Sequence, residues 1–433
     1  MVGMVLFILI MTVAPINRTP VQESDIYPAM LAAIDRIQSS HETEDSLLVG
    51  FAKANITPNR AVATAGYVKR HGAPFTAVHD SIFVRTMVFR QGHTKAALVS
   101  LDMLIVPPRI YQRLKESLPS IGYSIHQIYL SATHTHNSIG QWENHFVGEM
   151  YAGPYEEMVI ERVSQAIATS IQQAEATLQP ATLSSKAIPL SSGVSNRLVS
   201  GGQVDSLLHV AEFRYIDGRK MAISSYTAHA TCLSSKELNI SRDYPGVLVD
   251  ELEKQGYAFA LFMAGAVGSH APAPMADGWD RVSFMGNLLA DTIVRSSKEL
   301  IPRRTDRLAV GRLPLLLGKQ QIKILPDWRV RAWASDFLLG TGEPTLSYLH
   351  IGDLILIGAP CDFSGMLTPP IYQVTNNAHV LITSFNGGYI GYVTPDQLYD
   401  YDGYETQTMN WYGVGNGDYL QTSMIRMINR LDP

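Results

Sequence analysis

Short apolar runs bounded by turn signals alternate with helix-like stretches along most of this chain, and few folds accommodate that alternation. Residues 96–106 (AALVSLDMLIV) are almost continuously apolar, which predicts a buried strand. Residues 127–133, 257–263 and 379–384 read the same way. Between these runs, residues 155–176 carry helical periodicity, and 280–300 read as a long amphipathic helix. Pro245 opens a predicted helix that runs to Lys254 and stops at Gly256. A closing helix is predicted over 421–430. Two hairpins are expected: residues 207–215 and 221–227 flank the turn pair Asp217-Gly218, and 346–357 turn at Gly352-Asp353. Hairpins mixed with strand–helix alternation predict an α/β fold, with mixed β-sheets covered by helices. No internal repeat and no low-complexity linker is visible, so one large domain is expected over 47–433.

The first 46 residues read differently. Residues 4–14 (MVLFILIMTVA) form an apolar run, shorter than the ~20 residues a comfortable membrane span needs. The run fits the core of an export signal, although no Lys or Arg precedes it and no small-x-small cleavage site follows. Residues 1–46 are therefore expected to be a signal- or anchor-like segment with a polar leader. The location this predicts is secreted, periplasmic or membrane-tethered. The formal net charge of −5, with no basic cluster beyond pairs such as Arg303-Arg304, argues against a nucleic-acid partner. Cys232 and Cys361 are far apart and outside any CxxC pair, so buried thiols are expected.

The chemistry-bearing residues follow predicted strands, where a rigid sheet holds functional loops. Ser131-Ala-Thr-His134-Thr-His136 places two histidines at i, i+2, which face the same side in an extended chain. Neutral imidazole is a common zinc ligand. Thr227-Ala-His229 follows another apolar strand and offers a third imidazole. Asp362, in Gly358-Ala-Pro-Cys-Asp362-Phe, could complete a metal site or cap the next helix. Gly387-Gly-Tyr-Ile-Gly-Tyr392-Val-Thr leads on to Tyr404-Glu405, and by residue type alone these tyrosines read as packing and hydrogen bonding. HExxH, GxSxG, P-loop and GxGxxG motifs are all absent, which excludes the commonest metalloprotease, serine hydrolase and nucleotide-binding designs.

In this order the motifs resemble the neutral/alkaline non-lysosomal ceramidase family. The likeness opens at Gly50-Phe-Ala-Lys-Ala-Asn-Ile-Thr-Pro58 and runs through Gly66-Tyr67, Asp102, His134-Thr-His136, Ser195-Asn-Arg197, Thr227-Ala-His229, Asp243-Tyr-Pro-Gly246 and Gly265–Pro272. It closes on Pro360-Cys-Asp-Phe363, Gly391-Tyr392 and Tyr404-Glu405. Carried over residue by residue, the resemblance implies Zn2+ held by His134, His229, Asp362 and Tyr392. It also implies His136, Arg197 and Tyr404 around the scissile amide. The sequence departs from the family's pattern twice. The family's carboxylate ligand is Glu where this chain has Asp362. The family's Gly-Asp-x-Ser-Pro nucleophile motif aligns so that Ser269 falls on the Asp and Ala271 on the Ser.

The resemblance thus implies a zinc-dependent, ceramidase-like amidohydrolase that cleaves an N-acyl bond; with Ala271 at the family's nucleophile position, zinc-activated water is the expected attacking group, and Ser269 the alternative. A small-molecule or lipid amide is the expected substrate, a sphingolipid first, with contact to a membrane surface. A same-fold zinc hydrolase of a soluble substrate, and a non-catalytic ligand-binding relative, are the alternatives. The family's C-terminal immunoglobulin-like domain is not expected within this length.

Overall fold

The computed structural model describes residues 10–38, 42–375 and 377–432. Twelve strands form the two main sheets. The larger contains β1 (Leu48–Asn55), β2 (Phe83–Gln91), β3 (Thr94–Leu101), β4 (Ile128–Ala132), β5 (Gln179–Pro189), β6 (Leu207–Tyr215), β7 (Lys220–Tyr226) and β8 (Tyr257–Ala264), in the order β8-β7-β6-β5-β1-β2-β3-β4. The smaller contains β9 (Leu308–Pro314), β10 (Thr345–Ile351), β11 (Leu354–Gly358) and β12 (His379–Thr383), in that order.

One unit of topology occurs three times. In each, three strands pair antiparallel, a helix crosses over, a fourth strand joins parallel to the third, and a second helix follows. The crossover helices are Pro108–Ser117, Asp243–Lys254 and Thr368–Tyr372. The parallel pairs are β3·β4, β7·β8 and β11·β12. The closing helices are Glu157–Glu175, Gly278–Ser296 and Asn416–Leu431. The first two units join edge to edge through an antiparallel β1·β5 contact at Leu48↔Pro180 and Val49↔Gln179. The repeat is one of strand pairing. Any apolar set with the right alternation satisfies the ladders, so none of it shows in the sequence.

The two sheets face each other across a core that mixes all three units: Phe89 and Leu98, Phe213 and Leu261, Leu349 and Leu356. Their outer faces are covered by helices, with Val99 and Leu130 against Ile167, Ala222 and Phe262 against Leu289, and Ile355 and Ile357 against Met424. Strands buried on both faces carry near-continuous apolar runs instead of clean alternation. That explains residues 96–106: Ala96 and Leu98 point to the facing sheet, Ala97 and Val99 to the helices. The strand itself ends at Leu101, because residues 102–106 leave the ladder to build the site described below.

The expected hairpins form at Gly218 (φ 89°) and Gly352 (φ 57°), both left-handed turn positions suited to glycine. The helix expected from Pro245 begins two residues earlier, at Asp243, and ends at Lys254 as predicted. Cys232 and Cys361 are buried free thiols.

The N-terminal segment corrects one expectation. Among the described residues no helix is long and apolar enough to cross a membrane, so the membrane tether read from residues 4–14 is not supported. Residues 4–9 lie outside the described residues. The end of the same run forms strand Val13–Pro15, which pairs antiparallel with Trp328–Val330. Helix Ile26–Asp35 buries Met30 and Ile34 completely in the cluster that holds the closing helix, and Asp35 pairs with Arg426.

Candidate metal centre

The site lies beyond the carboxyl ends of the parallel strands, and all three units contribute to it. His134 and His136 follow β4, His229 follows β7, Asp362 follows β11, and Tyr389 and Tyr392 follow β12. Ligand sites in open α/β sheets commonly sit at such strand ends.

The three imidazoles converge through their Nε2 atoms. His134 Nε2 lies 2.6 Å from His229 Nε2 and 3.2 Å from His136 Nε2, and the third edge of the triangle is 3.1 Å. The extended-chain argument for His134 and His136 does not describe how they meet. The strand stops at Ala132, and His134 adopts φ 62°, an uncommon conformation for a residue with a Cβ. Phe385, itself at φ 61°, stacks on the His134 ring at 3.9 Å and 10°. Backbone strain of this kind clusters at functional sites.

Each ring is oriented from behind by a backbone carbonyl at Nδ1. Leu104 O holds His134 at 2.5 Å, Gly66 O holds His136 at 3.1 Å and Val267 O holds His229 at 3.4 Å. With Nδ1–H donating, each Nε2 keeps its lone pair, and the three lone pairs face one another. Burial holds all three rings neutral, pushing His134 down to about 3 and the other two well below the ordinary histidine value. Three converging lone pairs repel unless a cation lies between them. Nδ1–H donation to a carbonyl is also the usual support of a metal-ligating histidine.

Asp362 brings a carboxylate oxygen beside the three nitrogens. Its Oδ1 lies 3.6 Å from His134 Nε2, is buried, and has no hydrogen-bond partner. Its Oδ2 accepts from the Tyr389 hydroxyl at 2.7 Å. Burial pushes the carboxyl up to about 7, a cost that a neighbouring cation would remove. A tetrahedral ion with ligand bonds of about 2.0–2.1 Å requires nitrogens roughly 3.3 Å apart. Two edges of the histidine triangle meet that spacing and the third is short. The donor set, with its orphaned oxygen, therefore fits a small divalent cation, and the buried group His134, His136 and His229 could hold a metal.

The remaining expected site residues lie around this centre. Arg197 donates to the Tyr392 hydroxyl at 3.1 Å and pairs with Glu405 at 2.8 Å. Tyr392 pairs with Asp362 along a short parallel ladder. The Tyr404 hydroxyl bonds that of Tyr151 at 2.7 Å. His134, His136, Asp362, Tyr392 and Tyr404 line one open cleft, with walls that include Leu104, Ile105, Trp142 and Trp411. Ser269 lies behind the centre, two residues from Val267, and its carbonyl accepts the Arg197 N–H. It is fully buried, and its Oγ accepts from Ser364 at 2.7 Å and meets His270 Nδ1 at 2.8 Å. The His270 Nε2 accepts the Asp205 backbone N–H at 2.9 Å. Ala271 sits in a short strand opposite Ser195.

Sequence reasoning passed over Tyr389, Phe385, Tyr151 and Gly66. Tyr389 lies inside a glycine-rich run whose tyrosines read as packing and hydrogen bonding, and its partner is the Asp362 carboxylate. Gly66 was noticed only as a motif residue, yet its φ of 123° and its place against His136 leave no room for a side chain: a Cβ there would meet the His136 Cβ at 2.8 Å.

Comparison with known proteins agrees with this architecture. A family model for neutral/alkaline non-lysosomal ceramidases, N-terminal part, matches residues 47–264. Neutral ceramidase of Pseudomonas aeruginosa is 26% identical over 242 residues, covering 50% of this chain and 36% of that protein. The chain thus aligns with about a third of the length of that relative. The crystal structure of the Pseudomonas aeruginosa enzyme superposes with a TM-score of 0.72 at 19% identity, over 90% of this chain and 75% of that one. A structure described as ceramidase complexed with C2 gives the same score and identity over 89% and 76%. With half of its length matched by the family model, the chain belongs to the neutral/alkaline non-lysosomal ceramidase family.

Proposed function

We propose that this protein is a zinc-dependent hydrolase of an N-acyl amide, with a lipid amide of the ceramide type as substrate and water as the attacking group. The observation that carries the proposal is the convergence of three neutral imidazole Nε2 atoms beside the partnerless Oδ1 of Asp362. His134, His136, His229 and Asp362 would hold the zinc, with the Tyr392 hydroxyl beside them. His136, expected from the family resemblance to act on the amide, is proposed here as a ligand because its Nε2 aims at the same point as the other two. A zinc ion bound there supplies Lewis-acid polarisation of a carbonyl and lowers the pKa of a water molecule.

The chain's own residues do the rest. Tyr389 fixes the Asp362 carboxylate in one orientation. Arg197, anchored by Glu405, holds the Tyr392 hydroxyl, so it acts on the reaction through Tyr392. The Tyr404 and Tyr151 hydroxyls sit on the cleft wall, where they can donate to a developing oxyanion. The apolar walls suit an acyl chain better than a soluble substrate.

The tautomer of His270 supports water over Ser269 as the attacking group. Its Nε2 accepts a backbone N–H, so the proton of the neutral ring sits on Nδ1 and points at Ser269. A ring that donates to a serine cannot take that serine's proton, and Ser269 lacks a base.

The test is metal analysis combined with fatty-acid release from N-acylsphingosine. Hydrolysis should disappear on dialysis against a chelator and return with zinc. A folded, zinc-loaded protein that leaves a panel of N-acyl amides intact would be a binding protein instead.

A further inference from the structure

The mouth of the cleft is rimmed by apolar side chains that stay exposed among the described residues. Helices Phe146–Ala152 and Ala332–Leu339 pack against each other. Their inner sides, through Val147, Tyr151 and Leu339, form part of the cleft wall. Their outer sides each present an apolar pair at i, i+4, a spacing that puts both residues on one helical face. Phe146 is 60% exposed and Met150 41%, while Trp333 is 56% and Phe337 75% exposed. The patch continues onto Met11, whose carbonyl accepts the Trp333 indole N–H at 3.0 Å, and onto the exposed Trp328 beside Pro15.

We propose that this rim docks onto a lipid surface, so that substrate passes from the lipid into the cleft without crossing water. The inference rests on the lipid-amide reading of the site. Three observations select a lipid surface as the occupant. Apolar residues stand at both ends of the route, Phe337 and Phe146 outside and Leu339 and Val147 in the cleft wall that also holds His134 and His136. Tryptophans lie along the patch, and tryptophan favours the boundary between hydrocarbon and water. A second copy seated on the same face would close the cleft mouth, whereas a fluid lipid surface supplies what the cleft takes in. A contiguous exposed apolar patch on a folded protein marks an interaction site.

The experiment is co-sedimentation of the full chain with phosphatidylcholine vesicles that contain no amide substrate. The variants are Phe337→Glu and the double Trp333→Glu/Phe337→Glu. Ile216→Glu serves as the control, because Ile216 is 91% exposed on the remote β6–β7 turn. Phe337→Glu should weaken vesicle binding at least tenfold, the double variant further, and Ile216→Glu should leave it unchanged. Hydrolysis of a short-chain, water-soluble N-acyl substrate should be the same in all of them, which also reports folding. Vesicle binding that survives the double variant would overturn the proposal. So would binding lost equally in the Ile216→Glu control, or a wild-type dimer dissociated by Phe337→Glu with no change in vesicle binding. An inactive wild-type chain that still binds vesicles through Phe337 would refute the hydrolase reading and leave the docking surface standing.

Discussion

Replacing Ser269 by alanine separates two chemistries with one atom. The Ser269 Oγ has two partners, Ser364 at 2.7 Å and His270 at 2.8 Å, in a fully buried position. Removing it deletes two hydrogen bonds with a net worth of about 0.5–1.5 kcal/mol each. It also strands the His270 Nδ1–H. The expected loss is therefore about 1–3 kcal/mol of stability, read as a lowered urea midpoint with an unchanged slope. The Ser269 carbonyl accepts the Arg197 backbone N–H at 2.9 Å, and that bond survives the substitution. The arginine and the cleft should stay in place, so turnover should fall only a few-fold. The assay is steady-state hydrolysis with metal content measured on the same preparation. A folded, zinc-loaded Ser269→Ala protein whose turnover has dropped by three or more orders of magnitude would refute the tautomer argument and make Ser269 the nucleophile.

Four other outcomes are expected. Gly66→Ala should release the metal, because its Cβ would displace His136; competition with a chromogenic chelator measures the loss. Tyr389→Phe leaves Asp362 Oδ2 without its 2.7 Å donor and should weaken metal affinity about 10–100-fold, as lost outer support of a ligand does, seen in the same competition. Arg197→Ala frees the Tyr392 hydroxyl and should lower turnover about 10–100-fold with metal content unchanged, and loss of metal would instead give the arginine a structural role. Burial pushes the Asp102 carboxyl up to about 6, above its unfolded value near 3.9. The folded chain therefore binds that proton more tightly, and this contribution to stability is lost as pH rises from about 4 through 6. Urea denaturation of metal-free protein should show that slope reduced in Asp102→Asn.

The sequence was most informative where one local rule decides the outcome. The turns at Gly218 and Gly352, and the helix ending at Lys254, follow from turn and capping chemistry alone. The doubly buried strands were legible as apolar runs, although their ends were not: Leu101 ends β3 because Asp102 accepts the Phe83 N–H and the chain turns into the site. The threefold repeat left no trace, since strand pairing is satisfied by backbone groups that every residue carries. Within the site, the histidines were visible by type and by their place after strands. Their convergence was expected from strand ends, but its geometry was not legible, because it depends on the left-handed kink at His134 and on carbonyls of Leu104, Gly66 and Val267. Tyr389 was hidden for a related reason: only the fold brings its hydroxyl to a carboxylate 27 residues earlier in the chain.

Zinc stoichiometry tests the central claim most directly. Purified protein, stripped with chelator and reloaded, should bind one zinc ion per chain, and His229→Ala should abolish tight binding while the chain remains folded by circular dichroism. A wild-type chain that takes up no zinc, or a His229→Ala variant that binds it as tightly as wild type, would contradict the account.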